Sequence, residues 1–405
     1  MNRRTFLAAA AVSATATPAF AQKRETIKLV SSLPRTGSAQ GQTDHIVNGI
    51  KLAIAEADKG FPFDVRYVDM DDATAAQGAW AAEKEADNAQ AAAKDKDVMA
   101  YIGPYNSGAA KFSMPILNEE GLVMVSPSTT WPGLTKKVKG DEKSGEPGIY
   151  RPSGKVNFCR VCPNDAVQGP LSAVFVADEL KAKSVYILDD KELYGVGVAD
   201  AFESKCKDLK VKVLGRESID TRAKDYRELM AKVKKAAPDA VHFGGTTQSG
   251  GPQLAIDMNA VGPVCPFVVP DGCYEQAFIT NTGAETFDKL VCYVTIGSVE
   301  SAELAKGTGA AFVKAYKAKF KVEPEIYAVY GYEAAAIVLA AIKSVGKKDR
   351  DAIRKAVLAT KDFDKGALGK WSFDADGDTT LQQITVSKIE KGKFVPTKVI
   401  TVSEK

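Results

Sequence analysis

Short apolar runs alternate with amphipathic segments along most of this chain, and that alternation restricts its fold more than any other feature. Residues 27–31, 63–68, 98–102 and 122–125 read as strands. Between them lie helical segments near 46–59, at 75–94, which is alanine-rich, and at 107–120, which Gly121 ends. The alternation restarts after residue 165. Helices at 170–181, 195–209, 226–236 and 251–261 precede strands at 185–188, 211–214, 240–243 and 267–269. Strand–helix–strand repeats build a parallel sheet covered on both faces. Two such runs predict an α/β protein with two doubly wound parallel-sheet lobes. A third part departs from the pattern. It has a strand at 290–296, helices near 302–320, 325–345 and 351–360, and two β-like segments at 381–389 and 393–402 around Glu390-Lys391-Gly392. Residues 138–157, rich in Gly, Lys, Glu and Pro, read as a surface loop.

The N-terminus reads as an export signal over residues 1–21. Arg3-Arg4 supplies the charge, residues 6–16 form an apolar run too short to span a bilayer, and Ala19-Phe20-Ala21 suits a signal peptidase. Arg3-Arg4-Thr5-Phe6-Leu7 also resembles a twin-arginine signal. The alternative is a frayed, alanine-rich helix. On the export reading the working chain starts near Gln22 in the periplasm, with 405 − 21 = 384 residues, a length that calls for two domains. Its charge is +3 − 2 = +1, which favours neither nucleic acid nor a membrane surface. A periplasmic address argues against work that needs ATP or NAD. No later stretch is expected to cross a membrane, and the absence of a Cys at the cleavage point leaves no lipid-anchor site.

Enzyme chemistry finds few footholds. His45 and His242 are the only histidines, no GxSxG elbow occurs, and Gly366 to Lys370 lacks P-loop spacing. Asp374-Ala375-Asp376-Gly377-Asp378 suggests a calcium loop but lacks the distal Glu, so a turn is expected. Six cysteines allow fifteen full pairings. Cys159 and Cys162 have CxxC spacing without a second pair for zinc or a helix directly following for redox work. No cofactor, metal or catalytic residue is expected.

Two loops carry the chemistry. Ile102-Gly103-Pro104-Tyr105-Asn106-Ser107-Gly108-Ala109 and Val125-Ser126-Pro127-Ser128-Thr129-Thr130-Trp131-Pro132 lie one helix apart. They resemble the paired ligand-binding loops of type I periplasmic binding proteins, in particular the leucine/isoleucine/valine-binding family. Pro34-Arg35-Thr36-Gly37, Gly49 to Ala53, Asp165 with Gln168-Gly169-Pro170, Asp189-Asp190-Lys191 with Tyr194-Gly195, Phe243-Gly244-Gly245 and Asp271-Gly272 follow in matching order. The resemblance implies two lobes joined by three crossovers, with lobe I at 24–163 plus 296–366 and lobe II at 164–295 plus 367–405. It also implies a monomeric solute-binding protein that delivers an amino acid, branched-chain or more polar, or a similar small carboxylate to ABC permease subunits. A periplasmic sensor or chemoreceptor partner without transport is the alternative.

Ser107 ends a strand–loop unit and opens a helix, so its hydroxyl and nearby N–H groups suit an anion; it also reads as a plain N-cap. Ser128, Thr129 and Thr130 form a hydroxyl cluster that reads either as part of the same grip or as a turn. By resemblance, Ser107, Ser128 and Thr130 hold an α-carboxylate and Asp271 meets an α-ammonium. Tyr194 closes from lobe II, and Tyr327 lines the side-chain pocket. Gln42 stands where the leucine-type protein has tyrosine, Tyr105-Asn106 replaces an aliphatic–cysteine pair, and Thr246 replaces an aromatic. These departures make the expected pocket more polar.

Overall fold

The computed structural model describes residues 24–57, 60–138, 142–297, 304 and 306–402. The expected export signal, 1–21, lies outside them. The first part contains β1 (Thr26–Leu33), α1 (Gln40–Ala57), β2 (Asp64–Asp71), β3 (Ala73–Thr74), β4 (Ala79–Trp80), α2 (Ala82–Lys94), β5 (Val98–Ile102), α3 (Ser107–Glu119), β6 (Val123–Ser126) and β7 (Phe158–Arg160). The second contains α4 (Asp165–Val174), β8 (Ser184–Asp189), α5 (Leu193–Asp208), β9 (Lys212–Ser218), α6 (Arg227–Ala236), β10 (Ala240–Gly244), α7 (Gly251–Val261), β11 (Phe267–Pro270), α8 (Gln276–Thr282) and β12 (Cys292–Ile296). The remainder contains α9 (Ala310–Phe320), α10 (Ile326–Val345), α11 (Arg350–Leu358), β13 (Gln383–Glu390) and β14 (Lys393–Thr401).

Two sheets result. The first runs β2-β1-β5-β6-β7, all parallel. The second runs β14-β13-β12-β11-β10-β8-β9, parallel from β12 to β9 and antiparallel at the β13 and β14 edge. All five residues of β5 are buried, as a central strand covered on both faces requires. In each sheet the first strand has the second on one side and the third on the other. The order therefore reverses at β1/β5 and at β8/β10, and a crevice opens beyond the strand ends there.

The elements at 98–102 and 251–261 fall where the pattern puts them, and most others differ by a few residues. Two differ more. Residues 75–81 form not helix but a turn and the β3–β4 hairpin. The amides of Gln77 and Gly78 close on the Thr74 carbonyl, Gly78 takes φ +61°, and Ser38 donates to the Gly78 carbonyl from N and Oγ. These tertiary bonds override the helical preference of the alanines. Helix α4 begins five residues before Pro170, because Asn164 caps it by accepting from the Ala166 N–H at 3.0 Å. It continues as a π-helical turn to Glu179.

Helices α1 and α10 touch backbone to backbone. A Cβ on Gly49 would strike the Ala328 carbonyl, and one on Gly331 the Ile46 carbonyl. Helix α10 has a mean hydropathy of 1.4 over 20 residues, long and apolar enough to cross a membrane. That corrects the expectation of no such stretch, and two thirds of its most apolar window is buried in the fold. Of the expected surface loop, residues 138 and 142–157 are described; most are exposed or half-buried, and Glu146 ties them to the fold. Glu146 accepts from Trp131 Nε1 at 2.8 Å, Tyr150 Oη at 2.5 Å and Lys111 Nζ at 2.9 Å. All six cysteines are free thiols.

The chain passes between sheets at 161–164, after Gly297 and near 380–382. The expectation assigned residue 367 onward to the second lobe. Ala367 N and Trp371 Nε1 instead bond Glu333 of α10, and Asp378 sits against β7. Fully buried Arg160 donates to Asp378 Oδ1 at 2.6 Å, to the carbonyls of Thr129 and Trp131, and to Thr135 Oγ1. Asn164 donates to Asp378 Oδ2 at 2.9 Å. Asp374 Oδ1 accepts from the N–H groups of Asp376 and Asp378, and both acids pair with Lys136. This is the expected turn, its carboxylates held by cations of the chain. Asp378→Ala is expected to strand the Arg160 charge and cost about 3–5 kcal/mol, seen as a lower melting temperature by calorimetry. A variant that melts with the parent would refute this clasp.

Candidate functional site

A small cavity of about 30 Å³ lies where the two crevices face each other, lined by Tyr105, Asn106, Ser107, Ser128, Tyr194, Thr246, Gly272 and Tyr327. Its walls come from the loops after β5, β6, β8, β10 and β11 and the start of α10. The lobes are in apolar contact around it. Tyr105 and Tyr327 share one buried cluster with Cys273 and Tyr274, and the rings of Tyr105 and Tyr327 meet edge to face at 5.8 Å.

One wall is built to donate. Ser107 is the first residue of α3, and the helix's leading N–H groups have no partner within it. Asn106, at the N-cap, makes no capping bond with its side chain. Ser107 Oγ accepts from the N–H of Thr130 at 3.1 Å and of Trp131 at 3.2 Å. Both lone pairs are then engaged, so what the hydroxyl still offers is its proton. The β5 loop reaches this position through Gly103, which has φ +140° and packs against the Ser32 carbonyl.

The facing wall is formed by Tyr194, Thr246 and Gly272, with buried acids behind it. Tyr194 Oη donates to Asp271 and accepts from the Gly272 N–H at 3.2 Å. Burial pushes the Asp271 carboxyl up from its ordinary pKa, while Tyr194, Gln168 and Tyr327 hold it down. Asp165 is fully buried, and its carboxyl is pushed up to about 8 by burial and then by Asp271, with Thr130 and Arg160 opposing. Glu275 is raised to about 7, mainly by burial. Among the described residues, no Lys or Arg lines the cavity.

The other expected residues lie one step back. Gln42 accepts from Tyr105 Oη behind the wall. Thr129 gives its N–H to Ser126 Oγ and its carbonyl to Arg160. Thr130 contributes its N–H to Ser107, not to the cavity, and its carbonyl to the Asp165 N–H. Ser128 Oγ donates to the Tyr105 carbonyl at 3.1 Å, and Thr246 bonds Ser249 at 3.0 Å. Asp165, Glu275 and the lining role of Gly272 were not among the expected site residues. Asp165 and Gly272 had a signal in the motifs that carried the resemblance; Glu275 had none. A larger groove of about 950 Å³ runs along the flank between Trp131, Lys136, Leu193 and Lys207. The small cavity is the better site, because a free donor set and a buried acid converge on it.

The family follows from the chain as a whole. Residues 26–393 match the model of the periplasmic binding protein family, and the chain belongs to that family. It is 28% identical over 375 residues to the Leu/Ile/Val-binding protein BraC3 of Rhizobium johnstonii, covering 91% of this chain and 93% of that one. It is 30% identical over 293 residues to the Leu/Ile/Val-binding protein homolog 1 of Brucella abortus, covering 72% of each. Among solved structures, the leucine-binding protein LivK of Thermotoga maritima superposes with a TM-score of 0.80 at 25% identity, covering 93% of this chain and 99% of that one. The fold is that of the type I periplasmic binding proteins.

The buried acid gives a stability test. A carboxyl raised in the fold keeps a proton that the unfolded chain loses near pH 4, so its contribution falls as pH rises from about 4 to about 8 and is level above. Asp165→Asn is therefore expected to gain on the parent steadily between pH 5 and pH 8 in urea midpoints. A constant difference across that range would refute the raised pKa.

Proposed function

We propose that this chain is the extracytoplasmic solute receptor of an ABC importer and that its solute is an α-amino acid, held as the zwitterion between the lobes. The Ser107 hydroxyl carries the reading. Its oxygen is saturated by two N–H groups, and it stands at an uncapped helix N-terminus, so it presents a proton beside free amides and a favourable dipole. That set suits the α-carboxylate. Asp271, buried on the opposing lobe and raised in pKa by that burial, suits the α-ammonium. An anion without an ammonium would leave Asp271 unmatched. The relatives' names, leucine- and Leu/Ile/Val-binding proteins, support the same class.

The closed cavity has room for about two waters, so a solute of amino-acid size gains access only when the lobes part. Contacts to both walls then exist only after closure, and ligand shifts the population toward the closed form. The closed monomer is what permease subunits in the membrane would engage, in a periplasmic setting with export by residues 1–21. Ser107, Ser128, Tyr105, Asn106, Tyr194, Thr246, Asp271 and Tyr327 are the proposed ligand shell, with Gln42, Thr129 and Thr130 supporting it from behind. No chemistry on the solute is required.

Calorimetric titration with the common L-amino acids and with benzoate tests this. One or more amino acids should bind while benzoate does not. Ser107→Ala and Asp271→Asn should each weaken binding roughly 10- to 100-fold, the range for a hydrogen bond to a charged group. Benzoate binding as well as any amino acid, or unchanged affinity in both variants, would overturn the reading.

A further inference from the structure

The walls that remain once carboxylate and ammonium are placed say what side chain the solute carries. Asn106 lines the cavity, and its Oδ1 is buried without a hydrogen-bond partner. An Asn at an N-cap ordinarily spends that oxygen on the helix's own N–H groups; this one does not. Behind the neighbouring Tyr105, Gln42 is 1% exposed and bonded to the tyrosine hydroxyl, with its Nε2 buried and unpartnered. Tyr194 and Thr246 line the same space from the second lobe. An aliphatic side chain closed in against these groups would leave the amide edges unmatched away from water.

We propose that the receptor selects α-amino acids whose side chain is neutral and both donates and accepts hydrogen bonds, a carboxamide or a hydroxyl, over leucine, isoleucine and valine. This rests on the zwitterion reading above. A group of that kind satisfies the exposed edge of an amide whichever way the amide is turned. A cationic side chain is not favoured, because among the described residues no carboxylate lines the cavity. Asp271 is given to the α-ammonium, and Glu275 accepts from Gln248 Nε2 at 2.6 Å. Sites that hydrogen-bond a substrate group reject the analogue lacking it far more strongly than apolar pockets reject a missing methylene.

The test is calorimetric titration of the full chain with asparagine, glutamine, serine, threonine, leucine, isoleucine, valine, lysine and arginine, repeated on Asn106→Ala and Asn106→Leu. At least one amide or hydroxyl amino acid should bind at least about 10-fold tighter than the three aliphatic ones. Both variants should lose that preference while Asn106→Leu keeps or gains leucine affinity. Circular dichroism identifies a variant that fails to fold, and the other then carries the comparison. Leucine, isoleucine or valine binding equally or more tightly, or a preference for lysine or arginine, overturns the inference and leaves the zwitterion reading standing. A preference that survives in a folded Asn106 variant overturns it too. No binding of any amino acid removes both.

Discussion

Two backbone N–H groups, those of Thr130 and Trp131, converge on the hydroxyl oxygen of Ser107. The loop after β6 thereby fixes the direction of a proton at the start of α3. A serine hydroxyl is ordinarily ambivalent, able to give or take. This one has been made a donor by its neighbours, and the helix behind it adds amides and dipole of the same sense. The arrangement depends on the parallel sheet order, because only adjacent strand ends can bring the β5 and β6 loops this close. The same order repeated in the second sheet brings Tyr194, Thr246 and Gly272 to the other side.

On the proposed reading the two halves move yet stay in register, and the cluster around Arg160 bears on how both could be met. Its guanidinium holds the β6 loop through the carbonyls of Thr129 and Trp131, and Asp378 of the third crossing through Nε. Asn164, on the first crossing, holds the other oxygen of Asp378. A buried ion pair is a weak source of net stability, but breaking it is costly. It therefore fixes the position of the crossings without having to contribute much to the fold. The loop it anchors is the one that aims Ser107, so the crossings and that hydroxyl share a single set of bonds.

The fold was legible where one force dominated. Residues 98–102 are apolar throughout because both faces of β5 are covered, and the Gly-, Ser- and Pro-rich stretches after β5 and β6 mark where helix and strand meet. Legibility failed where a distant contact decided. The alanines of 75–81 favour a helix locally, but Ser38 and the positive φ of Gly78 hold a turn. Pro170 reads as a helix start, yet Asn164 had already capped that helix. Within the site, Tyr105, Asn106, Ser107 and Ser128 follow from their place at strand ends. Thr129 and Thr130 share the same loop and turn elsewhere, and nothing in a run of three hydroxyl residues says which will face the cavity. Asp165 looks like an ordinary first-turn acid of a helix, and only packing shows that it is buried near Asp271.

On the proposed reading, donors on one wall and acids behind the other also bear on why a closed, empty cleft would be unfavourable. Burial raises both Asp271 and Asp165, and Asp271 adds to the rise at Asp165. Were the lobes to part, water would reach the cleft and relieve that cost. A bound zwitterion would relieve it too, its ammonium matching Asp271 while its carboxylate accepts a hydrogen bond from Ser107. A solute with the carboxylate alone would meet half the grip and leave Asp271 unmatched.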